Sequence, residues 1–265
     1  MPGLTKFPSF PEDVPTHPLL IIDYQLVKQG NSEEIDRLWE AATKLGFWYL
    51  KNHGVDAEVD EMFEMGAETM RLPLEEKMKY EQGDEGLSFG YKAAGANAVD
   101  ERGTLDTVEF INVSKDDALA WPSKVHREYP SATNARMEST VKPFVQKSVD
   151  VNSTLIDVFN DRLGLPKGTL AKRHSMWEHS GIFFTRPANH IVLRALREES
   201  PLIAEAVSSA PDPSKFETGQ TAQEWFRRRI MYQRIKNRTN MQGPETWRAS
   251  RGTEHTEPEQ AAAAY

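Results

Sequence analysis

The chain has 265 residues, with 40 acidic against 32 basic side chains and a formal net charge of -8. That balance argues against a nucleic-acid protein, which would carry a basic field over its surface. The absence of cysteine excludes disulfides and thiolate metal sites. No stretch reaches the roughly 18 apolar residues of a spanning helix, and the Pro-rich start lacks the apolar run of a signal peptide. The sequence therefore reads as a soluble, cytoplasmic protein without a membrane partner. The sequons at Asn112, Asn152 and Asn237 are read as chance matches. A mean hydropathy of -0.61 is lean for this length, and the shortage falls on the C-terminal part.

In chain order, residues 18–23 form a short apolar run that predicts a buried strand. Asn31 is placed to cap a helix, with Glu34 completing a capping box. Ile35, Leu38, Trp39, Ala42 and Leu45 recur at helical spacing, and Gly46 ends the run. Phe47 to Leu50 is an aromatic-rich second strand. A helix follows from Asp56, carries Val59, Met62, Phe63 and Met70, and ends near Pro73, then a short one near Glu75 to Tyr80. The glycines from Gly83 to Gly103 do not follow a phosphate-cradling pattern and predict a flexible loop. Residues 106–113 alternate like a strand, and a long amphipathic helix is expected from about Asn134 to Leu163. Beyond it, residues 182–185 and 191–193 read as strands. A basic helix from Thr221 to Arg238 reads first as an amphipathic docking element, with Phe226, Ile230 and Ile235 on its apolar side. The C-terminal end is polar enough to predict disorder.

Three pieces carry a resemblance: Leu45 to Gly54 (LGFWYLKNHG), Pro73 to Lys77 (PLEEK) and Ser88 to Tyr91 (SFGY). In type, order and spacing they resemble the N-terminal domain of the isopenicillin N synthase-like 2-oxoglutarate/iron(II) dioxygenases, especially fungal ones. Phe183 to Pro187 resembles the family's last core strand, and the segments from Glu224 to His255 its C-terminal helix and tail. The resemblance implies an α+β N-terminal domain over 1–165. An incomplete double-stranded β-helix (jelly-roll) remnant with a C-terminal helix would follow over 166–251, then a disordered tail over 252–265. It also implies an oxidoreductase of small organic molecules, in fungal secondary or catabolic metabolism, using Fe(II) and 2-oxoglutarate. In that family a His-x-Asp pair and a distant His hold the iron. Strand neighbours i and i+2 share a face, which brings the pair together. An Arg-x-Ser holds the 2-oxoglutarate carboxylate.

None of these ligands is present. No histidine is followed two positions later by aspartate, and aligning Phe183 and Phe184 with the family strand puts Glu178 where the arginine belongs. The long helix runs on to the last strand with no barrel between, a segment of about 90 residues whose expected place is Gly181-Ile182. The sequence thus predicts a chain that binds neither iron nor 2-oxoglutarate, and a rival role as a non-catalytic binding or interaction protein. His126-Arg127-Glu128 and His255-Thr256-Glu257 are the near-misses for a metal pair. Both are rejected, because neither stretch promises rigid ligands and an orienting shell. His174, Glu178 and His179 match no zinc motif. Phe89 and Tyr91 are the substrate-side candidates, with core packing the alternative. Without a barrel, residues after His174 are expected to be loosely ordered, and exposed apolar surface to favour self-association.

Overall fold

The computed structural model describes residues 11–174 and 186–238. Strands β1 (Leu20–Asp23) and β2 (Trp48–Lys51) pair in parallel, with Leu20 beside Trp48 and Ile22 beside Leu50. A parallel pair needs a crossover. Here it is α1 (Tyr24–Lys28), α2 (Ser32–Glu40) and a π turn over Ala41–Leu45. Gly46 ends that turn at φ +76°, a left-handed conformation that glycine adopts without steric cost. Strand alternation turns Ile22 inward, where it clusters with Val27, Leu38, Trp48 and Leu50, and leaves Ile21 and Tyr49 exposed on the outer face. Asn31 caps α2 by accepting from the Glu34 N–H, as expected. The capping box does not form. Glu34 is buried and reaches back instead to the Asp23 N–H at 2.6 Å, tying the end of β1 to the helix.

A second cluster joins Met65 of α3 (Asp56–Met70), Ala118 of α5 (Lys115–Ala120), Tyr129, Met137, Val141, Val145 and Val149. Between α3 and α5 lies the short α4 (Leu74–Met78), and α6 (Ser131–Asn134) precedes the long helix. That helix is not continuous from Asn134. It opens as a π turn over Met137–Val141 and becomes the α-helix α7 only at Lys142–Arg162. Pro143 gives the reason: lacking an N–H, it is tolerated in a first turn and not in a helix interior. α7 then serves both clusters, since Phe159 near its end lies 5.8 Å from Trp48.

The glycine-rich stretch is built rather than loose. Strand β3 (Gly90–Lys92) pairs antiparallel with β4 (Phe110–Asn112). The expected strand over 106–113 is shorter because Asp106 is committed to the loop: it accepts from the Gly95 N–H and pairs with the fully buried Lys92. Gly90 sits at φ +109°, and a Cβ there would come within 2.6 Å of the Tyr80 carbonyl and collide with the Arg127 guanidinium.

After α8 (Thr169–Arg173), strand β5 (Val192–Arg194) pairs antiparallel with β6 (Glu217–Thr221), with α9 (Pro201–Ser208) between them. Helix α10 spans Ala222–Gln233 with a complete capping box at Thr221 and Glu224. It stops before Arg238. At Arg234 the backbone turns extended, and a 3-10 turn over Ile235–Arg238 follows. Arg234 is 1% exposed and binds Glu81 at 2.8 Å, while the Ala98 N–H donates to the Gln233 carbonyl and the Ile235 N–H to that of Ala96. Asn237 and Arg238 add bonds to the carbonyls of Asp84 and Asp100. The expectation of a loosely ordered segment after His174 is therefore corrected for residues 186–238, which dock on the glycine-rich stretch through buried, directional contacts. The strand expected over 182–185, together with Glu178, His179, Trp247, His255, Glu257 and the tail, lies outside the described residues. Among the described residues no helix is long and apolar enough to cross a membrane.

Candidate functional site

The chemistry-bearing side chains gather on three sides of the β3–β4 pair. On one side Tyr91, from the middle of β3, points into the interior at 1% exposure and donates to Glu109 at 2.5 Å. Lys77 of α4 reaches the same carboxylate at 2.7 Å and also donates to the Met70 carbonyl. Burial, and then the Glu109 carboxylate, push the Tyr91 phenol well above its ordinary value. Lys77, followed by Tyr91, holds Glu109 below the usual carboxylate range. Tyr91 thus stays protonated and Glu109 ionised through the neutral range. The trio anchors α4 to the strands and offers no group poised to move a proton.

On a second side lies His126. Ser114 caps α5, which places Asp116 and Asp117 in its first turn. Asp117 accepts from the Val125 and His126 N–H groups, at 2.8 and 2.7 Å, and from the Tyr129 hydroxyl at 2.7 Å. The same hydroxyl accepts from the Ser114 N–H. Burial raises the Tyr129 phenol far above its ordinary value, and the Asp117 carboxylate adds to the shift. The His126 ring lies 3.1 Å from Asp116 Oδ2 through Nε2, and its centroid is 4.8 Å from that of Phe89. This corrects the expectation that the stretch around His126 lacks an orienting shell. The carboxylates of α5 hold the loop by its backbone and the imidazole by its edge. The signal was in the sequence as Ser114 followed by two aspartates, a helix start whose acids face a later segment.

The third side is open. Glu85 to Phe89, with Arg186, Gln223, Phe226 and Arg227, encloses a cavity of about 210 Å³. Phe89 is one of its lining residues, while Tyr91 is not among them. His53, at the end of the NHG stretch, accepts from the Val55 N–H and closes a turn.

Residues 19–133 match the family described as the N-terminal domain of non-haem dioxygenases, the group named for morphine synthesis. The match supports placing this chain with the 2-oxoglutarate/iron(II)-dependent dioxygenases. Among the relatives it matches, flavone synthase of Petroselinum crispum is 28% identical over 178 residues, covering 62% of this chain and 43% of that protein. 1-Aminocyclopropane-1-carboxylate oxidase 1 of Cucumis melo is 27% identical over 144 residues, 54% of this chain and 41% of the relative. Oxoglutarate-dependent flavonoid 7-O-demethylase 1 of Ocimum basilicum reaches 38% identity, but over 85 residues, 31% of this chain and 20% of its own. The chain spans under half the length of the first curated relatives it matches.

The described residues do not fit the iron of these dioxygenases. Among the described residues no three His, Asp or Glu side chains converge as a metal site. His126 and Glu128 do not act as an i, i+2 pair: they lie outside any strand, and Glu128 is 72% exposed and paired with Lys124. The carboxylate near His126 is Asp116, which is fixed from α5. His174 ends α8 with Nδ1 2.6 Å from the Leu170 carbonyl, a helix-end contact.

Proposed function

We propose that this chain descends from the Fe(II)/2-oxoglutarate-dependent oxidoreductases of small organic molecules, in fungal secondary or catabolic metabolism. These 265 residues do not by themselves run that reaction. One observation carries the reading: residues 19–133 match the dioxygenase N-terminal domain, yet no His-x-Asp occurs anywhere in the sequence. Iron bound in such a protein would supply oxidation by dioxygen. Here no described set of side chains would hold it, so no step is routed through it. On this reading residues 1–165 are the dioxygenase-like domain, and the β5–β6 pair with α10 is what remains of a double-stranded β-helix. Support for the second part is the antiparallel pairing of Val192 with Thr221 and the docking of Arg234 on Glu81.

The same geometry favours the rival role, a non-catalytic binding protein, through one specific feature: the cavity between the Glu85–Phe89 stretch and α10 is lined by both charged and apolar groups. The test is turnover. The purified chain, given Fe(II), ascorbate and 2-oxoglutarate in air, is expected to form no succinate above a protein-free control. Succinate formation that depends on the chain and is lost in His126→Ala would overturn the proposal.

A further inference from the structure

The two edges of the β1–β2 sheet differ. On the β1 side, α2 closes the edge with side chains: Arg37 donates to the Ile21 carbonyl at 3.1 Å, and Glu34 accepts from the Asp23 N–H at 2.6 Å. The backbone groups of Ile21 and Asp23 therefore point away from β2, and by alternation those of Leu20 and Ile22 face it. In the parallel register this directs the N–H and C=O groups of Tyr49 and Lys51 towards β1, and turns those of Trp48 and Leu50 to the far edge. Among the described residues no third strand meets that edge. An open edge is a template for a further strand, and proteins commonly blunt it, as α2 does on the other side. The outer face of the sheet is apolar and bare: Phe47 is 72% exposed, Tyr49 62%, and Ile21, beside Tyr49, 53%. Gly46 at φ +76° and Asn52 at φ +58° bound the strand, so the open edge is four residues long.

We propose that the β2 edge pairs with the same edge of a second copy of this chain, antiparallel and two-fold symmetric about Tyr49. The register follows from the number of bonds. Centred on Tyr49, Trp48 lies opposite Leu50 of the second copy, and both outward-facing residues of each strand exchange N–H to C=O bonds. A centre one residue to either side would set one of them against Gly46 or Asn52, outside the strand. The side chains complement themselves in this register. On the inner face Trp48 meets Leu50 of the second copy, which extends the cluster of Ile22, Leu38, Trp48 and Leu50. On the outer face Tyr49 meets its own counterpart. Phe47 there meets Lys51 of the second copy, a side chain that stays 56% exposed while paired with Asp23, so a ring and a cation come together. Such a contact uses one patch on both copies and closes as a dimer, and the occupied β1 edge stops the sheet from growing further. The inference rests on the sheet alone, so its fate is separate from that of the proposed function.

The experiment is sedimentation analysis of the full chain, joined to disulfide trapping, which the absence of native cysteine makes clean. The chain is expected to dimerise with a Kd of about 10 to 100 µM, as suits a small interface. Tyr49→Lys sets two like charges face to face on the axis and should weaken the dimer at least about tenfold. Tyr49 is exposed, so this variant is expected to keep the far-UV circular dichroism of the original chain. In the proposed register residue 49 and its counterpart form a non-hydrogen-bonded pair with Cα atoms about 4.5 Å apart, within disulfide reach. Tyr49→Cys should therefore cross-link under mild oxidation. Ile21→Cys lies on the same face but one strand further out on each copy, about 14 Å from its counterpart, and should not. A chain still monomeric at about 300 µM, an unchanged dimer in Tyr49→Lys, or cross-linking of Ile21→Cys as fast as of Tyr49→Cys overturns the proposal.

Discussion

Glu109 shows how a carboxylate outside any catalytic set can still be tuned. Its pKa is lowered from 4.5 first by Lys77 and then by Tyr91, because both donate to the ionised form. A carboxylate whose folded pKa lies below the unfolded value adds stability that is fully present above pH 4.5. That contribution is lost as pH falls through the folded value. Glu109→Gln should therefore be less stable than the original chain near neutrality, with the gap closing on acidification below 4.5. Urea unfolding at roughly pH 7 and pH 3.5 measures it. A gap that stays constant or widens in acid would show that Glu109 is not the group responsible. At this scale the sequence was legible where partners are local, as with Asn31 capping α2 and Gly46 ending the turn after it. It was not legible for Glu34, whose choice between the Asn31 N–H and the distant Asp23 N–H is made by the packing of β1.

At the scale of elements, the basic C-terminal helix is the instructive case. Its amphipathic pattern gave docking as its first reading, and α10 does dock. The pattern did not reveal that the helix ends at Gln233 so that Arg234 can be swallowed by the glycine-rich stretch, where it meets Glu81 at 2.8 Å and Asp84 at 3.6 Å. A basic run reads as a solvated face unless the acids that receive it are known, and those lie some 150 residues earlier. The same ignorance made the glycine stretch look loose: Gly86 and Gly90 are small because Arg227 and Arg127 pass over them. Removing one partner of a buried pair strands the other. Arg234→Met should cost about 2–4 kcal/mol, short of the fully buried limit because Glu81 retains some exposure. It should also open residues 186–238 to limited proteolysis. A variant as stable and as resistant as the original chain would mean that the docking geometry is wrong.

At the scale of the whole molecule, the family frame was legible from NHG, PLEEK and SFGY, because strand ends and helix starts keep their residue types locally. The cavity between the Glu85–Phe89 stretch and α10 was not, since its walls come from residues 85–89 and 186–227, which no periodicity connects. Two features now define the chain: a dioxygenase N-terminal domain, and side chains that do not converge on a metal among the described residues. Anaerobic titration with Fe(II), followed by desalting and metal analysis, tests that pairing most directly. The account predicts no stoichiometric iron, with or without 2-oxoglutarate. One tightly held iron per chain, lost in His126→Ala or His255→Ala, would contradict it.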